Sequence, residues 1–135
     1  MTDVASSTRR FTFSAGHHYR VEQWSDEKNE ATFGRLTVPH GHNYTLDVTV
    51  RGPIDETTGM VMDLAELKRI VADAVIDRFD HADLNADTLF RGRVPTTENI
   101  AIAIWELLAP KLGPDRLAQV RVWEDDRLWV DFRGA

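Results

Sequence analysis

His40-Gly41-His42-Asn43-Tyr44-Thr45-Leu46-Asp47-Val48-Thr49-Val50-Arg51 is the stretch whose reading decides the architecture. Tyr44, Leu46, Val48 and Val50 alternate with Thr45, Asp47, Thr49 and Arg51. Strict alternation is the mark of a strand with one buried and one solvated face, the pattern of an antiparallel sheet covered on one side. The spacing predicts a strand over His42 to Arg51, with His40 and His42 on the parity of its apolar face. Along a strand their side chains lie about 7 Å apart, close enough to converge on one ion. Gly41 between them lets a neighbouring backbone approach. The pair alone leaves two readings open, a metal site or two ordinary strand-end histidines.

A third histidine bears on that choice. Arg9 to His17 reads as a second strand, with Phe11, Phe13, Ala15 and His17 on one parity, so its apolar face also ends in histidine. Taken alone, His17 reads as a partly buried histidine bonded to backbone. Three histidines with a fourth position left open is the arrangement of catalytic zinc, whereas structural zinc sites are closed and usually thiolate-rich. The 135-residue chain contains no cysteine, which removes disulfides, thiolate ligands and a thiol nucleophile together.

Outward from these strands the chain reads as one domain over residues 1–135, with residues 1–8 expected to be a frayed tail. Hydrophobic residues at 42% and charged residues at 28% place it among globular proteins. A net charge of −6 argues against a general nucleic-acid surface, while leaving room for an anionic small ligand if basic residues cluster locally. No apolar leader and no long apolar run is present, so no membrane partner and a soluble, cytoplasmic protein are expected. His18 to Val38 reads as a long polar connection.

Asp63 to Phe79 carries Leu64, Leu67, Ile70, Val71, Ala74 and Val75 at helical spacing, with Asp63 as N-cap. Asp80-His81-Ala82-Asp83-Leu84-Asn85 is its exit loop. Pro95-Thr96-Thr97-Glu98 opens a second helix striped by Ile100, Ala103, Ile104, Leu107 and Leu108, with Pro110 and Gly113-Pro114 as its stop. Leu117 to Glu124 and Leu128 to Arg133 form a hairpin turning at Asp125-Asp126, which puts Glu124 at the end of an apolar parity, as the histidines are. The order β-β-α-α-β-β predicts an α+β fold, two helices covering one face of a four-stranded antiparallel sheet. Sheet edges left open in this way need cover, which self-association into a larger closed sheet supplies.

Seven motifs in order, Phe13-Ser14-Ala15-Gly16-His17, Phe33-Gly34, His40-Gly41-His42-Asn43-Tyr44, Gly59-Met60-Val61-Met62-Asp63-Leu64, Asp80-His81 with Leu84-Asn85, Thr96-Thr97-Glu98-Asn99 and Val122-Trp123-Glu124, span nearly the whole chain. Together they resemble the family of 6-pyruvoyltetrahydropterin synthase and 6-carboxytetrahydropterin synthase, and look closer to its pyruvoyl branch. The resemblance implies the tunnelling fold (T-fold), a homo-oligomer, most simply a hexamer, and zinc (Zn2+) on His17, His40 and His42. It implies Glu124 as pterin anchor, Glu98 beside the pocket, and Asp80 with His81 as catalytic partners of a cysteine. The substrate it implies is 7,8-dihydroneopterin triphosphate. One departure stands out: Leu36 occupies the position expected for the cysteine, and no carboxylate lies between Phe33 and His40. Three readings follow. The first is a zinc-dependent lyase relying on His81, Asp80 or a carboxylate such as Glu27 or Glu30. The others are a zinc enzyme of this fold with another pterin-like or sugar-like substrate, and a non-catalytic pterin-binding homologue. His18, on the opposite parity to His17, is expected not to be a ligand.

Overall fold

A computed structural model describes residues 3–113 and 115–134. Met1 and Thr2 of the expected tail, Pro114 of the expected helix stop, and Ala135 lie outside the described residues. Two long strands, β1 (Val4–His17) and β2 (His40–Pro53), pair antiparallel along their whole length, from Val4 opposite Pro53 to His17 opposite His40. β1 thus begins well before Arg9, and residues 4–8 are ladder rather than tail. Ala5, Ser6, Ser7 and Thr8 lack an apolar alternation, but their backbone bonds to β2 suffice to order them.

β2 also pairs with β4 (Leu117–Trp123), which pairs with β5 (Trp129–Phe132) as the expected hairpin. The sheet has five strands rather than four, in the order β3-β1-β2-β4-β5. The additional strand, β3 (Ala82–Asp83), is only two residues long and runs parallel to Ala15–Gly16 of β1. So short a piece, inside what the sequence marks as an exit loop, carries no periodicity to reveal it.

Phe13, Ala15, Tyr44, Leu46, Val48, Val50, Val120 and Val122 form the apolar face of the sheet, all buried. Two helical units cover it. The first starts as α2 (Leu64–Val71), capped by the Asp63 carboxylate, which accepts from Ala65 N–H at 2.9 Å. It widens into a π turn at Ala72–Ile76 and ends as α3 (Asp77–Phe79). Val71, Val75 and Phe79 recur every four residues, slower than the 3.6-residue α period, and the wider turn keeps all three buried.

The second unit, α4 (Thr97–Leu112), is capped by Thr96. It passes through Pro110 and stops at Gly113, whose φ of 92° suits glycine. A proline in the last turn removes one bond while Leu112 beyond it stays buried, so the helix ends later than Pro110 suggests.

The His18–Val38 connection is not all loop. α1 (Asp26–Phe33) and a 3-10 turn (Gly34–Thr37) occupy much of it. Asn29, buried, organises the segment: its Oδ1 accepts from Val21 N–H at 2.8 Å, and its Nδ2 donates to the carbonyls of Val21 and Ser25 at 3.1 and 3.0 Å.

The other sheet face is a charged ladder. Arg10 makes two bonds to Asp47, at 2.8 and 3.0 Å, and the Trp123 indole donates to Asp47 at 3.0 Å. These contacts bury Asp47 on what the alternation marks as the polar face. Arg10 and the Trp123 indole hold its carboxyl below the usual range, the guanidinium bond being the larger influence.

Candidate metal centre

At one end of the apolar sheet face the ladder runs out of hydrocarbon and into imidazole. Ala15 lies opposite His42 and His17 opposite His40, so three same-face positions on two adjacent strands carry histidine. His17, His40 and His42 each offer a ring nitrogen within 4.8 Å of the others. Ring centroids are 4.5 Å apart for His17 and His40, and 5.2 Å for each other pair.

Backbone carbonyls fix the tautomers. His17 Nδ1 lies 2.8 Å from the Pro95 carbonyl and His40 Nδ1 lies 2.7 Å from the Val38 carbonyl. A carbonyl only accepts, so both Nδ1 atoms carry the proton and both Nε2 atoms present a lone pair. Such bonds to the distal nitrogen are the usual support for a metal-ligating histidine. His40 Nε2 is buried and is the one buried side-chain polar atom without a partner among the described residues. A desolvated acceptor with nothing to accept from is destabilising, and a cation at that point removes the penalty. His17 is 1% exposed, and burial pushes its pKa down to about 4, with the Pro95 bond opposing the shift and the other imidazoles adding to it. It is therefore neutral across the physiological range, the state a metal ligand needs. The donor set is nitrogen only, which suits zinc, copper, iron or nickel better than magnesium or calcium.

Glu124 follows β4, and its side chain, 14% exposed, reaches the same place: Oε1 is 3.6 Å from His42 Nε2 and accepts from the Thr97 hydroxyl at 3.2 Å. Glu98 is exposed on the first turn of α4. Three neighbours escaped the sequence reading. The Tyr44 hydroxyl lies 3.4 and 3.5 Å from the two ring nitrogens of His17. Tyr19 stands edge-on to His17 with centroids 5.3 Å apart. Its phenol is raised to about 12, first by burial and then by Glu124 and Glu98. Thr97 stands in the sequence as a helix start and as part of the Thr96-Thr97-Glu98-Asn99 motif, with no partner indicated. Tyr44 was legible as a same-parity neighbour of His42, whereas Tyr19 sits past the strand end, where alternation gives no direction.

Asp80 and His81 form a pair, as the resemblance implies, outside the group of ring nitrogens that His17, His40 and His42 bring together. His81 Nδ1 is 3.0 Å from Asp80 Oδ2, and the other Asp80 oxygen accepts from Ser14 N–H at 2.8 Å. The Ser14 bond and then His81 draw the Asp80 carboxyl below its ordinary range. His81, 83% exposed at its side chain, has φ of 61°, a left-handed conformation rare outside glycine, and its N–H donates to the Ser14 carbonyl. It borders an open cleft of about 400 Å³ lined also by Ser14, Gly16, Gly41, His42 and Asn43. Leu36, 43% exposed in the 3-10 turn, is tied to Tyr19 by its carbonyl, which accepts from Tyr19 N–H at 2.8 Å. Glu27 and Glu30 are both exposed on α1, and His18 turns into a different cleft.

A family model described as 6-pyruvoyl tetrahydropterin synthase matches residues 6–135. The chain belongs to that family. A human 6-pyruvoyl tetrahydrobiopterin synthase is 43% identical over 133 residues, covering 96% of this chain and 92% of the human protein. A dihydroneopterin monophosphate aldolase from Pyrococcus furiosus is 34% identical over 126 residues, 91% of this chain and 92% of the aldolase. The solved structure of Caenorhabditis elegans 6-pyruvoyl tetrahydropterin synthase superposes with a TM-score of 0.94 at 36% identity, covering 99% of this chain and 98% of the other. The expected α+β T-fold is therefore the fold of this 6-pyruvoyl tetrahydropterin synthase family member, with β3 as an addition to the four strands read from sequence.

Proposed function

We propose that the chain is a zinc-dependent pterin lyase acting on 7,8-dihydroneopterin triphosphate or a close relative. The observation that carries this reading is the convergence of His17, His40 and His42 around the unpartnered His40 Nε2, with Glu124 beside them. His17, His40 and His42 would hold the ion, and bound zinc supplies Lewis acidity toward a substrate oxygen. Glu124, oriented by the Thr97 hydroxyl, accepts hydrogen bonds from the N–H edge of the pterin, a charge-assisted contact. Glu98, exposed on the first turn of α4, is the proposed second pterin contact. The names of the relatives support a pterin substrate, and that of the dihydroneopterin monophosphate aldolase supports a phosphorylated dihydropterin.

Asp80 and His81 are the proposed proton carriers. Asp80 orients His81, and an oriented imidazole is suited to acid or base work near neutral pH. Because the His81 side chain is 83% exposed and lies outside the group of His17, His40 and His42 ring nitrogens, we place it in the site of a neighbouring copy, within a homo-oligomer that the resemblance makes a hexamer. Among the described residues, the edge of β1 away from β2 is paired with another strand only at Ala15–Gly16, and β5 ends the opposite edge, so head-to-tail pairing of copies would close both.

A second reading is favoured by Leu36, whose apolar side chain cannot move a proton: a pterin-binding homologue without turnover. Purified protein incubated with 7,8-dihydroneopterin triphosphate, with products identified by mass spectrometry, separates the two. Loss of triphosphate or side-chain cleavage that disappears in His42→Ala and Glu124→Gln supports the lyase. Pterin binding abolished in Glu124→Gln, with no product from wild type, supports the second reading.

A further inference from the structure

Arg91-Gly92-Arg93 is a basic run that the imidazole site leaves unexplained. It lies in the loop leading to α4, and the fold brings it opposite the segment leaving β1. Between them is a cleft of about 530 Å³, a volume suited to a small ligand, whose lining includes His18, Arg20, Glu22, Arg91, Arg93 and Val94. The walls are tied together: His18 N–H donates to Asn85 Oδ1 at 2.8 Å, and Asn85 Nδ2 donates back to the His18 carbonyl at 2.9 Å.

The charges in this cleft are not equivalent. Arg93 is anchored, its Nε donating to the Leu89 carbonyl at 2.7 Å and its Nη2 lying 3.0 Å from Glu106. Arg20 meets Asp26 at 2.9 Å, but that carboxylate is 90% exposed and well screened by water. Arg91 makes no ion pair among the described residues. Asp87 also lines the cleft, but Arg78 engages both its oxygens, at 2.8 and 2.7 Å, which leaves Glu22 as the lining carboxylate without a cationic partner. Gly92, with φ of 80°, supplies the left-handed turn between the two arginines. On a chain of net charge −6, the lining of this concavity carries three arginines against two carboxylates, a local excess of positive charge.

We infer that this cleft is an oligophosphate-binding site, with Arg91 and Arg20 as the contacting cations and Arg93 as the fixed floor. Guanidinium groups match phosphate oxygens in geometry and charge. The cleft abuts the imidazole cluster through the chain itself: His18 follows His17, and Val94 precedes Pro95, whose carbonyl holds His17. The phosphate could thus belong to the tail of a substrate whose head lies at the histidines, or to a free oligophosphate ion. The site itself does not rest on the pterin reading; only the first source does.

Calorimetric titration with inorganic triphosphate tests it directly. Wild type and His42→Ala are expected to bind it alike, Arg91→Ala roughly tenfold more weakly, as for loss of a bond to a charged group. Binding should also weaken as salt is raised. Arg69→Ala, which alters a remote arginine on α2, is the control. No binding, or equal losses in Arg69→Ala and Arg91→Ala, overturns the proposal, the latter because net charge alone would explain it. Sources separate in a second titration, using 7,8-dihydroneopterin with and without its triphosphate on His42→Ala protein. An Arg91→Ala loss confined to the phosphorylated compound assigns the cleft to the substrate tail. An Arg91→Ala loss seen with inorganic triphosphate alone assigns it to a free anion, and leaves the pterin reading standing or falling on its own assay.

Discussion

Zinc titration into metal-free protein, followed by thermal unfolding, should raise the midpoint of the wild type and leave His42→Ala nearly unmoved. At a free zinc concentration a hundred times the dissociation constant, binding to the folded state alone adds about 2.7 kcal/mol. Unfolding entropy near 2.1 cal/mol/K per residue comes to about 0.28 kcal/mol/K for this chain, so the midpoint should rise by about 10 °C. Position 40 makes the test sharper. In the metal-free protein His40 Nε2 is buried without a partner, at a penalty of about 1–3 kcal/mol, while its Nδ1 bond to Val38 contributes about 1 kcal/mol. Those effects oppose each other, so metal-free His40→Ala should lie between wild-type stability and about 2 kcal/mol above it, and yet lose the zinc-dependent rise. His18→Ala should keep it. A wild type indifferent to zinc, or a His18→Ala variant as insensitive as His42→Ala, would refute the assignment of the three ligands.

Other consequences are as direct. Asp47 titrates below its ordinary value of 3.8 in the folded chain, so its stabilising contribution is complete above that pH and is lost as pH falls through the depressed value. Acid unfolding of Asp47→Asn, monitored by circular dichroism, should show a shallower loss of stability in that window, from a lower starting stability. Leu36→Cys should raise product formation from 7,8-dihydroneopterin triphosphate, up to the 10²–10⁴-fold typical of a general base, if the absent thiol limits turnover. No gain in a folded, zinc-loaded variant would point to a different substrate or a reshaped turn. Native mass spectrometry should show a closed homo-oligomer at micromolar concentration, and Ser6→Pro, which removes an N–H from β1, should weaken assembly if that edge pairs between copies. A wild-type monomer would remove the proposed route by which His81 reaches a site.

Much of the imidazole cluster was legible because the strand period is two. Once Phe13 and Ala15 are read as inward, His17 has to be inward, and His40, His42 and Glu124 follow by the same rule on their own strands. The helical stripes of α2 and α4 were legible for the equivalent reason at a period near 3.6. What escaped was structure made by groups that carry no period. α1 stands on polar sequence, and Asn29 anchors it through side-chain bonds to backbone at Val21 and Ser25. Residues 4–8 of β1 are held by ladder bonds to β2 with little apolar content of their own. Asp47 reads as a solvated position, yet Arg10 and Trp123 close over it from the neighbouring strands, partners set by register rather than by local sequence.

The same distinction explains why the proposed metal ligands and the proposed proton carriers are legible to different degrees. Ligands on paired strands need only the correct parity and register, and both are over-determined here by a buried face running the length of β1 and β2. Asp80 and His81 belong to a turn between α3 and β3, where one left-handed residue sets the chain direction. The Asp80 carboxylate is fixed to His81 and to Ser14 N–H, and the His81 side chain it holds is 83% exposed. An exposed imidazole held by Asp80 on a left-handed backbone position fits the proposal of a site shared between copies. On that proposal the residue is pre-oriented within one subunit, and assembly would set its distance to the reacting group.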